Sequence, residues 1–491
     1  MNFTTHPAEP RASLLIESMR DIGYSLETAL ADIIDNSISA GATRVDILSE
    51  CGDIPRIGVL DNGSGMSRDT LMEAMRPGSR NPLDSRDPKD LGRFGLGLKT
   101  ASLSQCRRLT VITRHGEEVT AARWDLDFVS EQDQWIIQIP NSIEGIPWSD
   151  RLRENGTLVL WEYLDRVVDN GGSDAGYAHF NRRIDEAREH LELVFHRFLA
   201  GEGRTPKVEI YLNNRQLIPF DPFNARHSAT VIDPEEVIKV SNGIVRVQTF
   251  TLPHHKKAGT EDWEKYAGRE GYLKNQGFYV YRQKRLIIYG TWFGLAKQTE
   301  LTKLARVRID MPNDLDAQWK IDVKKASAQP PAKVRERLRY IIERIGATSK
   351  RVYTSRGKKL VTDNRLPVWN RIVDKDRILY RVNKEHPVVA DFMADLDEVD
   401  AKRFSRILEL TETALPLDMV FADVGNAPDQ VGPEALSEEV LADSLHTLVA
   451  RLTGSGIPMP TIKDMLKTTE PYKSDWERSK QILESMKVES D

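Results

Sequence analysis

Residues 26–43 read LETALADIIDNSISAGAT. Apolar residues at Leu26, Leu30, Ile33 and Ile34 fall at the spacing of one helix face, which predicts a helix from Leu26 to Ile38. Gly41 ends it, as expected of a residue just past a helix terminus. Asp32 and Asn36 stand four apart and share a face away from the apolar stripe. A carboxylate and a neutral amide so placed suit a magnesium–nucleotide site. Magnesium wants octahedral oxygen ligands and takes most of them from phosphates and water. One amide oxygen from Asn36 completes such a shell without over-neutralising the ion. Asp32, one turn earlier, can orient and deprotonate a water aimed at a terminal phosphate. The competing reading of the same residues is an exposed polar helix face.

Three further segments bear on this chemistry. LDNGSGM, residues 60–66, follows the apolar run Ile57–Leu60, which predicts a strand. Asp61 can accept a hydrogen bond from an adenine amino group, while Gly63 and Gly65 let backbone approach the ring. The same residues also spell a common strand-ending turn. LGRFGLGLKTASLS, residues 91–104, offers backbone N–H groups to phosphate oxygens at a helix start, and Lys99 adds a point charge. Leu98 separates Gly97 from Lys99, so this is not a Walker A loop; a flexible glycine-rich loop is the alternative. NGTLVLWE, residues 155–162, is a strand whose Thr157 hydroxyl can bind phosphate or support Asp61. Between the second and third segments, residues 76–97 are polar and rich in glycine, proline and charge, a length that suggests a lid or binding loop.

The chain has 491 residues, hydrophobic residues are 40% and charged residues 29%, a soluble composition too long for one core. Net charge is −5, so any nucleic-acid binding must come from a local basic patch. Cys51 and Cys106 are the only cysteines, which excludes a disulfide scaffold and a thiolate-rich zinc site. No stretch approaches the roughly 20 apolar residues of a membrane span. The first residues, MNFTTHPAEPRAS, have no apolar core and do not read as a secretory signal. A cytoplasmic protein without membrane contact is expected. Strands are also expected at Val45–Leu48, Leu109–Thr113, Ala121–Leu126, Gln134–Ile139 and Gly156–Trp161, then a helix over Tyr177–Leu199. A second strand-rich block runs from Lys207 to about Val323, followed by a helix marked by Val334, Leu338, Ile341, Ile342 and Ile345.

Taken together, Asp-x-x-x-Asn, Asp-x-Gly-x-Gly, a long lid ending in Gly-x-Gly-x-Lys and a Gly-Thr strand resemble the Bergerat ATP-binding fold of gyrase, the HtpG chaperone, histidine kinases and MutL. Within that GHKL superfamily, GRFGLGLKTAS most resembles the MORC ATPases and their prokaryotic relatives. The resemblance covers about residues 11–200. It implies an α+β fold: a Bergerat-fold ATPase domain with a mixed sheet and helices on one face, a second βαβ-type transducer domain and a mostly helical C-terminal region. The expected divisions are 1–20, an N-terminal segment and candidate dimer strap; 21–201, the ATPase domain; 202–330, the transducer; and 331–491, a region of unassigned role.

The resemblance assigns ATP and Mg2+ as ligands. Asn36 matches the metal ligand and Asp32 the general base, an aspartate where the family usually has glutamate. Asp35 is a second carboxylate able to face the same site, as an orienting group or as the base itself. Asp61 matches the adenine-reading acid, with Gly63, Gly65 and Met66 beside it. Gly92, Gly95, Gly97, Lys99 and Thr100 match the lid end that wraps the phosphates, and Thr157 the threonine of the last motif. KVEIYLNN (207–214) and GFYVYRQKRLI (277–287) resemble the transducer of MutL and MORC, in which a basic residue senses the terminal phosphate. WKIDVKKAS (319–327) sits where that residue is expected, with Lys325 first and Lys320 and Lys324 close behind.

The resemblance further implies a slow ATPase that dimerises on ATP binding as a clamp. Residues 1–20, with Leu14, Leu15, Ile16 and Met19, either cross to a partner or pack on their own domain. Between Lys350 and Lys384, 11 basic residues stand against three acidic ones, interleaved with Tyr353, Trp369 and Tyr380, a candidate DNA-binding stretch. Trp319, Trp369 and Trp476 are otherwise expected in the core. Prokaryotic relatives often accompany restriction or phage-defence genes, an analogy no residue carries. A chaperone-like ATPase acting on protein clients is the alternative, although the middle region looks short for one. A two-component kinase needs a phosphorylatable histidine on a dimerising helix before the ATP domain, and only His6 precedes it.

Overall fold

The helix expected at the start forms as α2 (Leu26–Ser39), preceded by α1 (Ala12–Arg20). Its entry is fixed by the Ser25 N–H donating to Thr28 Oγ1 at 3.1 Å, and Gly41 leaves it with φ +78°. Leu26, Leu30, Ile33 and Ile34 are buried, as the spacing predicts. The computed structural model describes residues 3–488 except 5, 7–9, 22, 79–96, 169–173, 204–205, 241–242, 320–327, 356–366, 375–376, 427–430, 432–433 and 455. Two compact units divide the chain at residues 350 and 351.

In the first unit, β1 (Arg44–Glu50), β2 (Arg56–Asp61), β3 (Arg108–His115), β4 (Glu118–Asp125), β5 (Gly156–Glu162), β6 (Glu209–Leu212) and β7 (Arg215–Gln216) form one sheet. Their order is β4-β3-β5-β2-β1-β6-β7. Only the β1–β6 pair is parallel. Helices α3 (Arg68–Met75), α4 (Gly97–Leu103), α5 (Leu126–Gln132), α6 (Asp174–Val194) and α7 (His196–Ala200) complete this part. Residues of α2, α6 and α7 share a buried cluster with Val45, Ile47, Val59, Val111 and Trp161 from the sheet. A smaller cluster around Ile112 and Leu158 fills the other face, with Ile143, Ile146 and Trp148 packed against it. Alternating strand residues thus enter two different cores, the expected result of period-two side-chain placement.

Two expectations change here. KVEIYLNN contributes β6, which pairs with β1 in the register Val45↔Ile210, so it completes the first sheet instead of opening the second. Gln134–Ile139 makes only the isolated bridge Arg123↔Gln138. α1 packs on its own domain through Ala12, Ile16 and Arg20, while Leu14 and Leu15 remain 62% and 39% exposed.

The second sheet contains β8 (Val231–Ile232), β9 (Glu236–Val240), β10 (Gly243–Thr251), β11 (Gly277–Arg282), β12 (Arg285–Thr291) and β13 (Ala305–Met311). The order is β12-β11-β13-β10-β8, with β9 also on β10, and β11 runs parallel to β13. Helices α8 (His255–Ala258), α9 (Thr260–Ala267) and α10 (Gly271–Lys274) link β10 to β11. After β13 come α11 (Asp316–Trp319) and α12 (Ala332–Ser355), whose Val334, Leu338, Ile341 and Ile345 pack with Trp319 on this sheet's core. No helix among the described residues is long and apolar enough to cross a membrane.

The second unit has a hairpin of β14 (Trp369–Asp374) and β15 (Arg377–Val382) and helices α13 (Pro387–Ala394), α14 (Glu398–Thr413), α15 (Leu417–Asn426), α16 (Glu438–Gly454), α17 (Met459–Leu466) and α18 (Trp476–Val488). Leu441, Leu445, Leu448, Ile462, Leu466 and Leu483 form its core, with Trp476 packed against them. Trp369 departs from the core expectation: it is 36% exposed on the hairpin.

Candidate functional site

At the end of β2, the strand register places Asp61 opposite Thr157 of β5. Asp61 Oδ1 accepts the Gly63 N–H at 2.9 Å and the Thr157 N–H at 3.2 Å. Its Oδ2 accepts the Ser37 hydroxyl of α2 at 2.8 Å. The carboxyl is buried, and burial pushes its pKa up although all three bonds favour the charged form. Oδ2 keeps acceptor capacity for one more donor, since a carboxylate oxygen carries two lone pairs. Around it, Thr113 Oγ1 accepts the Met66 N–H at 2.8 Å, donates to the Gly156 carbonyl at 3.1 Å and lies 3.3 Å from Thr157 Oγ1. Gly65 has φ +66°, and a Cβ there would meet the Arg114 carbonyl oxygen at 1.9 Å, so only glycine fits.

Asp32 sits elsewhere on α2, buried, with the Tyr24 hydroxyl donating to its Oδ2 at 2.9 Å. A Cβ on Gly97, the first residue of α4, would stand 3.6 Å from the same oxygen, so the end of the glycine-rich segment lies beside the carboxylate. Asn36, one turn along, is exposed. Thr100 is buried within α4. Lys99 is also buried, and its ammonium donates to the carbonyls of Ala74 at 2.9 Å and Arg76 at 2.6 Å, at the end of α3. Helix C-terminal carbonyls attract cations, and a flexible butyl stem reaches them. Burial lowers the Lys99 pKa to about 8, opposed by Glu73. Gly92, Gly95, Lys320, Lys324 and Lys325 lie outside the described residues.

Asp35 does not share the Asp32 environment. It is 1% exposed, and its Oδ1 accepts the Arg285 Nε–H at 3.0 Å. Three partners escaped the sequence reading. Ser37 is a small hydroxyl on the buried side of α2, a signal that was present next to Asn36. Tyr24 lies ahead of the helix with no spacing rule to mark it, and Arg285 is 250 residues from Asp35.

Among the described residues no group of three His, Cys, Asp or Glu side chains could hold a metal alone. The donor set is one exposed amide, which fits magnesium carried mainly by phosphate and water.

A family profile described as "Histidine kinase-, DNA gyrase B-, and HSP90-like ATPase" matches residues 24–157, the segment that contains both ends of this site. Similar curated proteins include the DNA mismatch repair protein MutL of Afipia carboxidovorans, 34% identical over 101 residues, 20% of this chain and 16% of that one. MutL of Shewanella sediminis is 38% identical over 96 residues, 19% and 15% of the two chains. A putative MutL protein homolog 1 of Schizosaccharomyces pombe is 33% identical over 97 residues, 19% and 14%. The chain thus spans about 15% of the length of these relatives. A solved N-terminal domain of a DNA repair protein covers 69% of this chain and 98% of its own at 13% identity and TM-score 0.40, a likeness too loose to carry an argument. Residues 24–157 thus match the family model of the GHKL, or Bergerat-fold, ATPases, and 101 residues of the chain are similar to a MutL protein.

Proposed function

We propose that the chain binds Mg–ATP at this site, hydrolyses it slowly and closes as an ATP-dependent homodimeric clamp on DNA. The observation that carries the reading is that α2 serves both ends of the site, Ser37 holding Asp61 and the helix itself carrying Asp32 and Asn36. Asp61 accepts the adenine amino group through the free capacity of Oδ2, and Gly63 and Gly65 keep the ring's approach clear. Magnesium, when bound, supplies charge neutralisation to the triphosphate, with the Asn36 amide as its protein ligand. Asp32, oriented by Tyr24, accepts the proton of the attacking water. The terminal phosphate is sensed by a lysine of 319–327, first among them Lys325. Gly92, Gly95, Gly97 and Thr100 close over the phosphates, which the Lys99 ammonium reaches only on leaving the carbonyls at the end of α3.

Clamp formation draws support from Leu14 and Leu15, an exposed apolar pair on α1. DNA contact draws support from the basic stretch 350–384, where Trp369 and Tyr380 share a face of the β14–β15 hairpin and are 36% and 39% exposed. Tyr353 of that stretch has a side chain outside the described residues. The relatives' names point the same way, and the lid sequence adds the MORC likeness.

The test is phosphate release from Mg–ATP with and without duplex DNA, alongside light scattering with a non-hydrolysable ATP analogue. Turnover, a doubling of mass with the analogue and DNA retention that weakens between low and moderate salt are expected. Absence of ATP binding in calorimetry overturns the whole reading; unchanged mass overturns the clamp alone.

A further inference from the structure

The hairpin joining β11 to β12 carries three basic residues in RQKR, residues 282–285, and each is committed to a different part of the first unit. Arg282 donates through Nε to both Asp316 oxygens, at 2.9 and 2.8 Å, immediately ahead of the segment that leads to Trp319. Lys284 donates to the Glu202 carbonyl at 2.6 Å, just past α7. Arg285 reaches Asp35 on α2 at 3.0 Å. The turn itself is tight, with Gln283 and Lys284 at φ +48° and +69°. Non-glycine residues in that region cost of order 1–3 kcal/mol and persist where surrounding contacts hold them.

Arg285 is itself enclosed. Its guanidinium lies 4.4 Å over the Phe195 ring and its Nη1 donates to the Leu286 carbonyl. His190 of α6 is held neutral close by, its pKa lowered to about 3 by burial and by the Arg285 charge. A buried ion pair of this kind is weak evidence for stability, because desolvation offsets the attraction; its better attested use is to fix one arrangement among several. Here the arrangement fixed is the tie between α2 and β12, at a residue adjacent to Asn36 and three from Asp32.

We propose that Arg285 is a positioning residue for ATP hydrolysis: through Asp35 it holds α2 so that Asp32 and Asn36 meet the nucleotide in productive geometry, and the RQKR hairpin ties that geometry to the Asp316–Trp319 segment. The inference rests on the nucleotide reading above. It differs from it in predicting a role for a residue that touches neither nucleotide nor metal.

The experiment uses the full chain as wild type, Arg285→Met, Arg285→Lys and the double variant Asp35→Asn/Arg285→Met, with kcat from phosphate release, ATP affinity from calorimetry and the unfolding temperature from calorimetric scans. Arg285→Met takes the guanidinium away from the buried Asp35 carboxylate and is expected to lower the unfolding temperature. The double variant removes both charges and restores it. Its kcat stays roughly tenfold or more below wild type, because displacement of a reacting group by about 1 Å costs up to about a hundredfold, while ATP affinity changes less than about twofold. Arg285→Lys, which keeps the charge but loses the Nε geometry, falls between. A kcat that tracks unfolding temperature or ATP affinity across the series overturns the proposal, since a merely structural pair behaves that way. If wild type binds no ATP, the nucleotide reading itself fails; if wild type turns over and all variants match it, only this inference fails.

Discussion

The two ends of the candidate site are built from different materials. Around Asp61 the donors are two backbone N–H groups and a hydroxyl from the helix that packs on the same strands. Strand register places the Thr157 donor and the turn after β2 the Gly63 donor, and no long side chain donates to Asp61. Around Asp32 and Asp35 the partners are side chains from outside the sheet: Tyr24 ahead of the helix and Arg285 from the second sheet. If the Asp61 end receives adenine as proposed, its backbone-built frame is rigid whatever the rest of the chain does. The Asp32 end, held by distant side chains, changes whenever those elements move, as the proposed coupling of hydrolysis to clamp closure requires.

Four substitutions or conditions set this contrast at risk, beginning with the greatest effect. Asp32→Asn is expected to reduce turnover by roughly 10²–10⁴-fold, the usual worth of a general base, with ATP binding retained in calorimetry. Full phosphate release by this variant refutes the role. Asp61→Ala should act on the other end, removing a charge-assisted bond worth about 1.5–3 kcal/mol and so weakening ATP affinity by roughly 10- to 150-fold. Unaltered affinity moves the nucleotide elsewhere. Ser37→Ala leaves Asp61 with its two backbone donors and should cost about 1 kcal/mol in affinity with kcat unchanged; a loss confined to kcat breaks the division between the two ends.

The smallest effect concerns acid. His190 and His196 have folded pKa values lowered to about 3 and about 4, chiefly by burial. Both are neutral in the folded chain while the unfolded chain takes up protons below about 6.5. Their contribution to stability is therefore complete at neutral pH and is lost as pH falls from about 6.5 toward 4. His190→Asn should flatten the fall in unfolding temperature over that window, measured by thermal scans at successive pH; an unchanged slope shows that His190 is not desolvated as described.

The sequence disclosed the elements that carry the candidate residues wherever the signal is local. Asp32 and Asn36 follow from helix periodicity, and Asp61, Gly63 and Gly65 from a strand ending in a turn. Lys99 was read as a phosphate contact because it follows a glycine-rich run, yet its ammonium caps the end of α3, since a flexible stem chooses among nearby acceptors in space and not in sequence. Arg285–Asp35 obeys no spacing rule, because the two residues are brought together by the packing of separate sheets. β6 was legible as a strand, but a four-residue strand carries no mark of which sheet it joins.

That last strand matters for anyone who would excise the first sheet with its helices. β6 returns from beyond α7 to lie parallel against β1. A fragment stopped near residue 201 would strip β1 of its neighbour and leave a row of unsatisfied amides and carbonyls open to self-association. Carrying the cut past Gln216, the last residue of β7, retains the β6–β7 ribbon and keeps that border closed.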